Sequence, residues 1–198
     1  GIPWFNQVFK QLDSNLVVDW KVTEGDFVAP NQILAELVGS ARTILSGERE
    51  ALNWLQALSG VATVARMYVD RIKPFHAKVL DTRKTLPGLR YPQKYAAAVG
   101  GVRNHRLGLY DAFLIKENHI FSCGSIKQAI DEARRLYPGK VVEVEVESQE
   151  QLLEALGCRA DIIMLDNFDL KDMRVAVDVV AKKARLEVSG NVSIETIE

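Results

Sequence analysis

From residue 76 onward, short apolar runs alternate with longer amphipathic ones, and this alternation narrows the possible folds more than any other feature of the chain. The apolar runs are Lys78-Val79-Leu80-Asp81, Ala112-Phe113-Leu114-Ile115-Lys116 and residues 141–146, 161–165 and 185–188; each reads as a strand. Helices are expected between the last four. Ser125-Ile126-Lys127-Gln128 and Ser148-Gln149-Glu150-Gln151 both fit the capping box, in which the serine accepts from an early helix N–H and the glutamine reaches back. Alternating strands and helices imply parallel strands joined by crossover helices. A closed or nearly closed α/β barrel satisfies that pattern, and so does an open doubly wound sheet. No glycine-rich dinucleotide fingerprint follows a strand, which favours the barrel.

Upstream the pattern differs. Residues 17–22 alternate partly, as a half-buried strand does, and residues 33–38 read as a second strand. The turn-rich stretch between them, residues 24–32, resembles the hammerhead of biotinyl and lipoyl carrier domains, but the exposed turn lysine those domains need is absent. Leu52, Leu55, Leu58, Ala62, Ala65, Val69 and Ile72 then recur at steps of three and four, the stripe of a long helix that Pro74 stops and Gly60 weakens. The expected division is residues 1–45, a linking helix over 46–75, and the α/β region over 76–198. The chain opens at Gly1-Ile2-Pro3 and stops at Glu198, and both ends read as cut.

Barrels of this kind collect their chemistry at the carboxyl ends of the strands. Those ends carry Asp81-Thr82-Arg83-Lys84, Lys116-Glu117-Asn118-His119, Glu143 and Glu145, Asp166-Asn167, and Ser189-Gly190-Asn191. Strand ends are often polar merely because they are exposed. Glu143 and Glu145 are more telling: they alternate with valines and share one face of their strand. If that face points into a barrel, a metal or cation must lie near, because an unpaired buried carboxylate costs several kcal/mol. With the opposite register both are simply solvated.

Between Arg83 and Arg106 the charged residues are Arg83, Lys84, Arg90, Lys94, Arg103 and Arg106, with His105 and no acid among them. A solvated face, a nucleic-acid surface and a small-polyanion site are the competing explanations. The formal charge of the whole chain is -1, which gives no general attraction to nucleic acid or membrane. Pro87-Gly88, Gly100-Gly101 and Gly108 punctuate the segment, so it reads as basic residues presented on turns. Arginine offers two-point recognition of carboxylate or phosphate and lysine a point charge, which suits a ligand with several separated negative groups. Cys123 and Cys158 lack metal-ligand spacing and read as reduced thiols of a cytoplasmic protein. No signal peptide, membrane-spanning run, Ser-His-Asp order, Cys-His pairing or P-loop emerges.

Eight strings carry a resemblance. They are Ser46-Gly47-Glu48-Arg49, Leu58-Ser59-Gly60-Val61-Ala62-Thr63, residues 80–90 around Asp81-Thr82-Arg83-Lys84, Asn104-His105-Arg106-Leu107-Gly108-Leu109, Leu114-Ile115-Lys116-Glu117-Asn118-His119, Glu143-Val144-Glu145-Val146, Met164-Leu165-Asp166-Asn167-Phe168 and Glu187-Val188-Ser189-Gly190-Asn191. In this order they resemble the quinolinate phosphoribosyltransferase family over nearly the whole chain. The resemblance implies an α/β fold: an open α/β barrel with parallel strands, lacking its C-terminal strands here, preceded by part of an α/β sandwich domain over residues 1–45. It implies conversion of quinolinate and phosphoribosyl pyrophosphate to nicotinate mononucleotide, pyrophosphate and CO2, with Mg2+.

By position, Arg83, His105, Arg106 and Lys116 match residues that hold the quinolinate carboxylates, and Arg49 matches an arginine supplied across a homodimer interface. Lys84, Glu145, Asp166, Ser189 and Gly190 match residues around phosphoribosyl pyrophosphate and its metal, with Lys84, Glu145 and Asp166 as the catalytic group, and Thr82 is a further substrate-binding position. Glu145 and Asp166 are the implied metal residues, directly or through water. Gly100-Gly101-Val102 has valine where the family often has a third glycine, and the family's later strand and turn for the 5'-phosphate lie beyond Glu198. A nicotinate phosphoribosyltransferase, a molybdenum-associated homologue and a non-enzymatic polyanion-binding module are the alternatives.

Overall fold

A computed structural model describes residues 1–198, which form two compact units: Gly1–Leu107 with Ile197–Glu198, and Gly108–Thr196. The first unit begins with helix α1 (Ile2–Leu12), whose Phe5 and Phe9 are buried. Strands β1 (Val17–Trp20) and β2 (Ala35–Val38) pair antiparallel, Val17 opposite Val38 and Trp20 opposite Ala35. Their alternation sends Val18, Trp20 and Leu37 against Phe5, Phe9 and Ala51. Asp19 and Glu36 face outward and share Lys21. Both strands are shorter than the runs expected over 17–22 and 33–38.

Helix α2 (Ala41–Arg71) buries Gly47, Ala51, Leu58 and Ala65 on one side. It starts well before Leu52, the first member of the predicted stripe. Glycine is required at residue 47: a Cβ there would lie 2.8 Å from both Leu12 Cδ1 and Phe9 Cε1, so α1 could not approach so closely. The helix ends before Pro74, whose ring disfavours helical backbone at the residue preceding it.

Two expectations fail in the next segment. Lys78–Asp81 is not a full strand; it makes one parallel bridge, Leu80 to Arg103, with Asp81 N–H donating to Arg103 O at 3.0 Å and Arg103 N–H to Val79 O at 3.0 Å. Nor are the basic residues after Arg83 all on turns. Residues Arg90–Val99 form helix α3, with Pro92 in its first turn, where a missing N–H costs no intrahelical bond, and Gly100 at its end. Proline and glycine had suggested loops, whereas here they mark a helix start and stop.

The second unit is a parallel sheet with its crossover helices. Strand β3 (Phe113–Ile115) is followed by α4 (Glu117–Cys123) and α5 (Ile126–Leu136), then β4 (Val142–Val146), α6 (Gln149–Gly157), β5 (Ile162–Asp166), α7 (Leu170–Val180) and β6 (Arg185–Ser189). The strand order is β3-β4-β5-β6, all parallel, so each strand lies beside its predecessor. A doubly wound sheet reverses its order at a switch point; an α/β barrel does not. The open α/β barrel is therefore the architecture, preceded by the helical and antiparallel region of sandwich type.

Val142, Val144, Val146, Ile163 and Leu165 meet Ile126, Ile130, Leu152, Ala176 and Val180 of the crossover helices in one core. Burying each large aliphatic side chain contributes about 1.5–3 kcal/mol. The predicted cap serines are in place: Ser125 accepts from Gln128 N–H at 3.1 Å and Ser148 from Gln151 N–H at 3.3 Å. The reciprocal half of the box differs, because Gln151 reaches back to the N–H of Glu147, one residue before the cap, at 2.8 Å.

Candidate active site

The register of the sheet sorts its side chains into layers. Glu145 stands opposite Met164, and Met164 opposite Glu187. Ile115 pairs with Val144, so Lys116, one residue on, continues the layer of Glu145. Asp166 pairs with Ser189 one side-chain repeat nearer the carboxyl edge. Since side chains alternate along a strand, Lys116, Glu145, Glu187, Asp166 and Ser189 share a face, opposite the valines that meet the helices. Strand spacing and rise put the Cα atoms of Glu145 and Asp166 about 8 Å apart.

Lys116 forms an ion pair with Glu145. The carboxylate side chain is 10% exposed and the lysine 42%, so Glu145 is held in place while the ammonium remains reachable. This is the cation that an inward register required. On the same face Glu143 is buried, and oxygens of Glu143 and Glu187 lie within 4.8 Å of each other. His119 serves the backbone: its Nδ1 accepts from Lys116 N–H at 3.0 Å, which fixes the start of α4.

At the ends of β5 and β6 a chain of amides supports Asp166. Asn167 Nδ2 donates to Asp166 Oδ2 at 2.8 Å, and Asn191 Nδ2 donates to Asn167 Oδ1 at 3.1 Å. Asn167, Gly190 and Asn191 all have left-handed φ, at 56°, 84° and 54°. The two asparagines occupied the predicted strand ends, but their supporting role depends on backbone geometry that strand periodicity does not reveal.

In the first unit Asp81 is the hub. Its carboxylate accepts from Lys94 Nζ, from Asn104 Nδ2 at 2.6 Å and from the His105 N–H at 2.7 Å. Lys94 is 4% exposed, so it is a buried partner of Asp81 and not one of the anion-holding cations its place in the basic stretch suggested. Arg90 is likewise turned inward, toward Thr85 Oγ1 and Leu107 O. Thr82 Oγ1 accepts from Lys84 N–H at 3.0 Å and Arg83 O from Thr85 N–H at 2.9 Å, a tight turn that presents Thr82 and Lys84 to solvent. Arg83 is half-buried, and its Nε is a buried donor with no hydrogen-bond acceptor.

His105 Nδ1 accepts from Arg106 N–H at 2.8 Å, so in the neutral ring the proton sits on Nε2. Arg49 lies on the exposed side of α2. Thus Thr82, Arg83, Lys84, His105 and Arg106 are grouped around the Asp81 hub, and Lys116, Glu145, Asp166, Ser189 and Gly190 line one sheet edge, while Arg49 stands on a helix away from the hub's hydrogen bonds. Cys158 packs against the helix side of the sheet, and burial pushes its thiol up, which keeps it protonated and a poor nucleophile at neutral pH.

These groups provide separate donors for anions and hard oxygen acceptors for a cation. The model of the quinolinate phosphoribosyl transferase N-terminal domain matches residues 1–59, and that of the C-terminal domain residues 61–198. A probable nicotinate-nucleotide pyrophosphorylase [carboxylating] of Bacillus subtilis is 43% identical across the whole chain, and one of Synechocystis 39%; the chain spans 68% of each. The crystal structure of NadC from Streptococcus pyogenes superposes with a TM-score of 0.95 at 42% identity, covering 100% of this chain and 70% of that one. The nicotinate-nucleotide pyrophosphorylase from Francisella tularensis gives 0.95 at 48% identity, over 98% and 69%.

Proposed function

The chain belongs to the quinolinate phosphoribosyltransferase family, and from that premise we propose that it joins quinolinate to the phosphoribosyl group of phosphoribosyl pyrophosphate, giving nicotinate mononucleotide, pyrophosphate and CO2 for NAD synthesis. It is a pentosyltransferase, a carboxylating nicotinate-nucleotide diphosphorylase. The observation that carries the substrate assignment is Arg83. A buried donor without an acceptor costs about 1–3 kcal/mol, and a ligand carboxylate supplies the acceptor it lacks. Arg83, His105, Arg106 and Lys116 take the two carboxylates in this reading, with Arg49 contributed by a second copy of the chain. The Lys116 ammonium remains reachable by a ligand carboxylate because its side chain is 42% exposed. In this reading the barrel follows α2 (Ala41–Arg71), which is the linking helix that carries Arg49, and the region before α2 is the sandwich.

Lys84, Thr82, Ser189 and Gly190 face phosphoribosyl pyrophosphate. The left-handed Gly190 leaves its turn free of a side chain, so an anionic oxygen can approach the backbone there. Glu145 and Asp166 fit Mg2+: both are hard oxygen donors on one face, and each is held by a partner, Lys116 or Asn167. Held there, directly or through water, Mg2+ would supply counter-charge for the departing pyrophosphate.

The remaining work of the chain is positioning. The pyridine nitrogen bonds to the sugar carbon as pyrophosphate leaves, so no protein nucleophile is needed. Carboxylate-holding cations orient the ring for that displacement, which can supply much of the rate. Loss of the 2-carboxylate as CO2 leaves an electron pair on the ring carbon beside the cationic nitrogen, which stabilises it until a proton is taken up. No helix of the structure is long and apolar enough to cross a membrane. We place the reaction in the cytoplasm.

The test is to incubate the protein with quinolinate, phosphoribosyl pyrophosphate and Mg2+ and to detect nicotinate mononucleotide, with nicotinate offered in parallel. A site built for two carboxylates leaves cations unpaired when one is missing, so discrimination of roughly 10⁴ or more is expected. Comparable turnover of both acids would refute the assignment.

A further inference from the structure

Asp81 touches neither substrate in this reading, yet it joins three segments of its unit. Its side chain is 10% exposed and that of Lys94 5%, so the ion pair between them is buried. Two further donors complete the carboxylate, Asn104 Nδ2 and the N–H of His105. Asn104 is itself held by the carbonyl of Lys94 at 2.9 Å. The backbone of Asp81 binds Arg103 O. Main chain and side chain of one residue therefore grip residues 103–105 together.

What lies on either side of that grip gives it meaning. Thr82-Arg83-Lys84 follow Asp81 directly, and Arg106 follows His105. The Arg106 N–H in turn orients the His105 ring. A buried ion pair is a poor stabiliser compared with an apolar pair of the same volume, but its hydrogen bonds specify a single arrangement. We infer that Asp81 is a positioning residue for the quinolinate site: with Lys94 and Asn104 it fixes the spacing between Arg83 and the His105-Arg106 pair, and so matches their donors to the two carboxylates of the substrate. The inference rests on the quinolinate reading above. It predicts a larger effect on quinolinate than on phosphoribosyl pyrophosphate: Arg83, His105 and Arg106 flank both sides of the grip, whereas of the groups assigned to the second substrate only Thr82 and Lys84 follow Asp81, and Ser189, Gly190, Glu145 and Asp166 belong to the edge of the parallel sheet.

The test uses the full chain with Asp81→Asn combined with Lys94→Gln, which removes both charges together and leaves no buried ion unpaired. The melting temperature and the KM of each substrate are measured beside the wild type. The KM for quinolinate should rise about ten- to a hundredfold, the loss typical of small misplacements in a site, while that for phosphoribosyl pyrophosphate, touched only through Thr82 and Lys84, rises by no more than about fivefold. A folded double variant with wild-type KM for quinolinate, or an equal rise in both KM values, overturns the positioning role. If the double variant does not fold, Asn104→Ala keeps the ion pair and removes one donor; the same split, smaller, is expected, and its absence overturns the proposal. Absence of quinolinate turnover by the wild type overturns the functional reading and this inference with it, whereas an active wild type without the split overturns this inference alone.

Discussion

At the scale of the residue, the site depends on backbone that only certain residues adopt. Gly190 has φ 84°, and a Cβ built on it would lie 2.1 Å from Asn167 Oδ1 and 3.1 Å from Asn167 N. Gly190→Ala therefore meets two obstacles: the strain of a left-handed alanine, and displacement of the amide that holds Asp166. The variant should lose about 1–3 kcal/mol in urea unfolding and show a higher KM for phosphoribosyl pyrophosphate than for quinolinate relative to wild type. An unfolding midpoint and KM values equal to wild type would show that the turn accommodates the methyl group. Lys116, Glu145 and Asp166 stand out in the sequence as ionisable groups at strand ends, and the sheet brings them to one face. Their supports were not legible there. Asp81 looked like any strand-end acid, and Lys94 like any member of a basic run, because burial depends on what the chain later folds against it.

At the scale of the element, the two serine-capped helix starts and the last four strands were read well, and the other helices less well. The serine at a helix start leaves a direct chemical mark, and both predicted caps form. Ser148→Ala should cost about 1 kcal/mol, the usual value of an N-cap, measurable as a lower urea midpoint with unchanged slope. No loss would mean that Gln151, bonded to Glu147 N–H, caps α6 without it. The parallel strands were each found within a residue or two, since their apolar runs are bounded by polar turns. Helices α1 and α4 were not anticipated, and two further elements were misread. Helix α3 was hidden because Pro92 and Gly100 mark turns as readily as they mark helix ends. The run Lys78–Asp81 has a strand's composition but makes a single bridge, because pairing depends on a neighbour, here Arg103, far along the chain.

At the scale of the whole molecule, the fold class was legible because alternation of strand and helix leaves few parallel architectures, and the sequential order of β3 to β6 selects the barrel among them. The subunit boundary is a different matter, since one chain's periodicity says nothing of a second copy. The proposed dimer nevertheless makes a quantitative prediction. Arg49 lies on the exposed side of α2. In a twofold dimer each copy presents the same patch, so each site borrows one Arg49 from its neighbour. Arg49→Ala and Lys116→Ala should each be nearly inactive as pure preparations. Mixed and allowed to exchange, they form heterodimers in which one site carries both lesions and the other carries neither. Random exchange makes about half of the dimers mixed, each with one intact site of two, so activity should return to roughly a quarter of wild type. If Arg49 serves its own chain, every site in the mixture keeps one lesion, and activity stays flat even though native mass measurement shows that the subunits have exchanged.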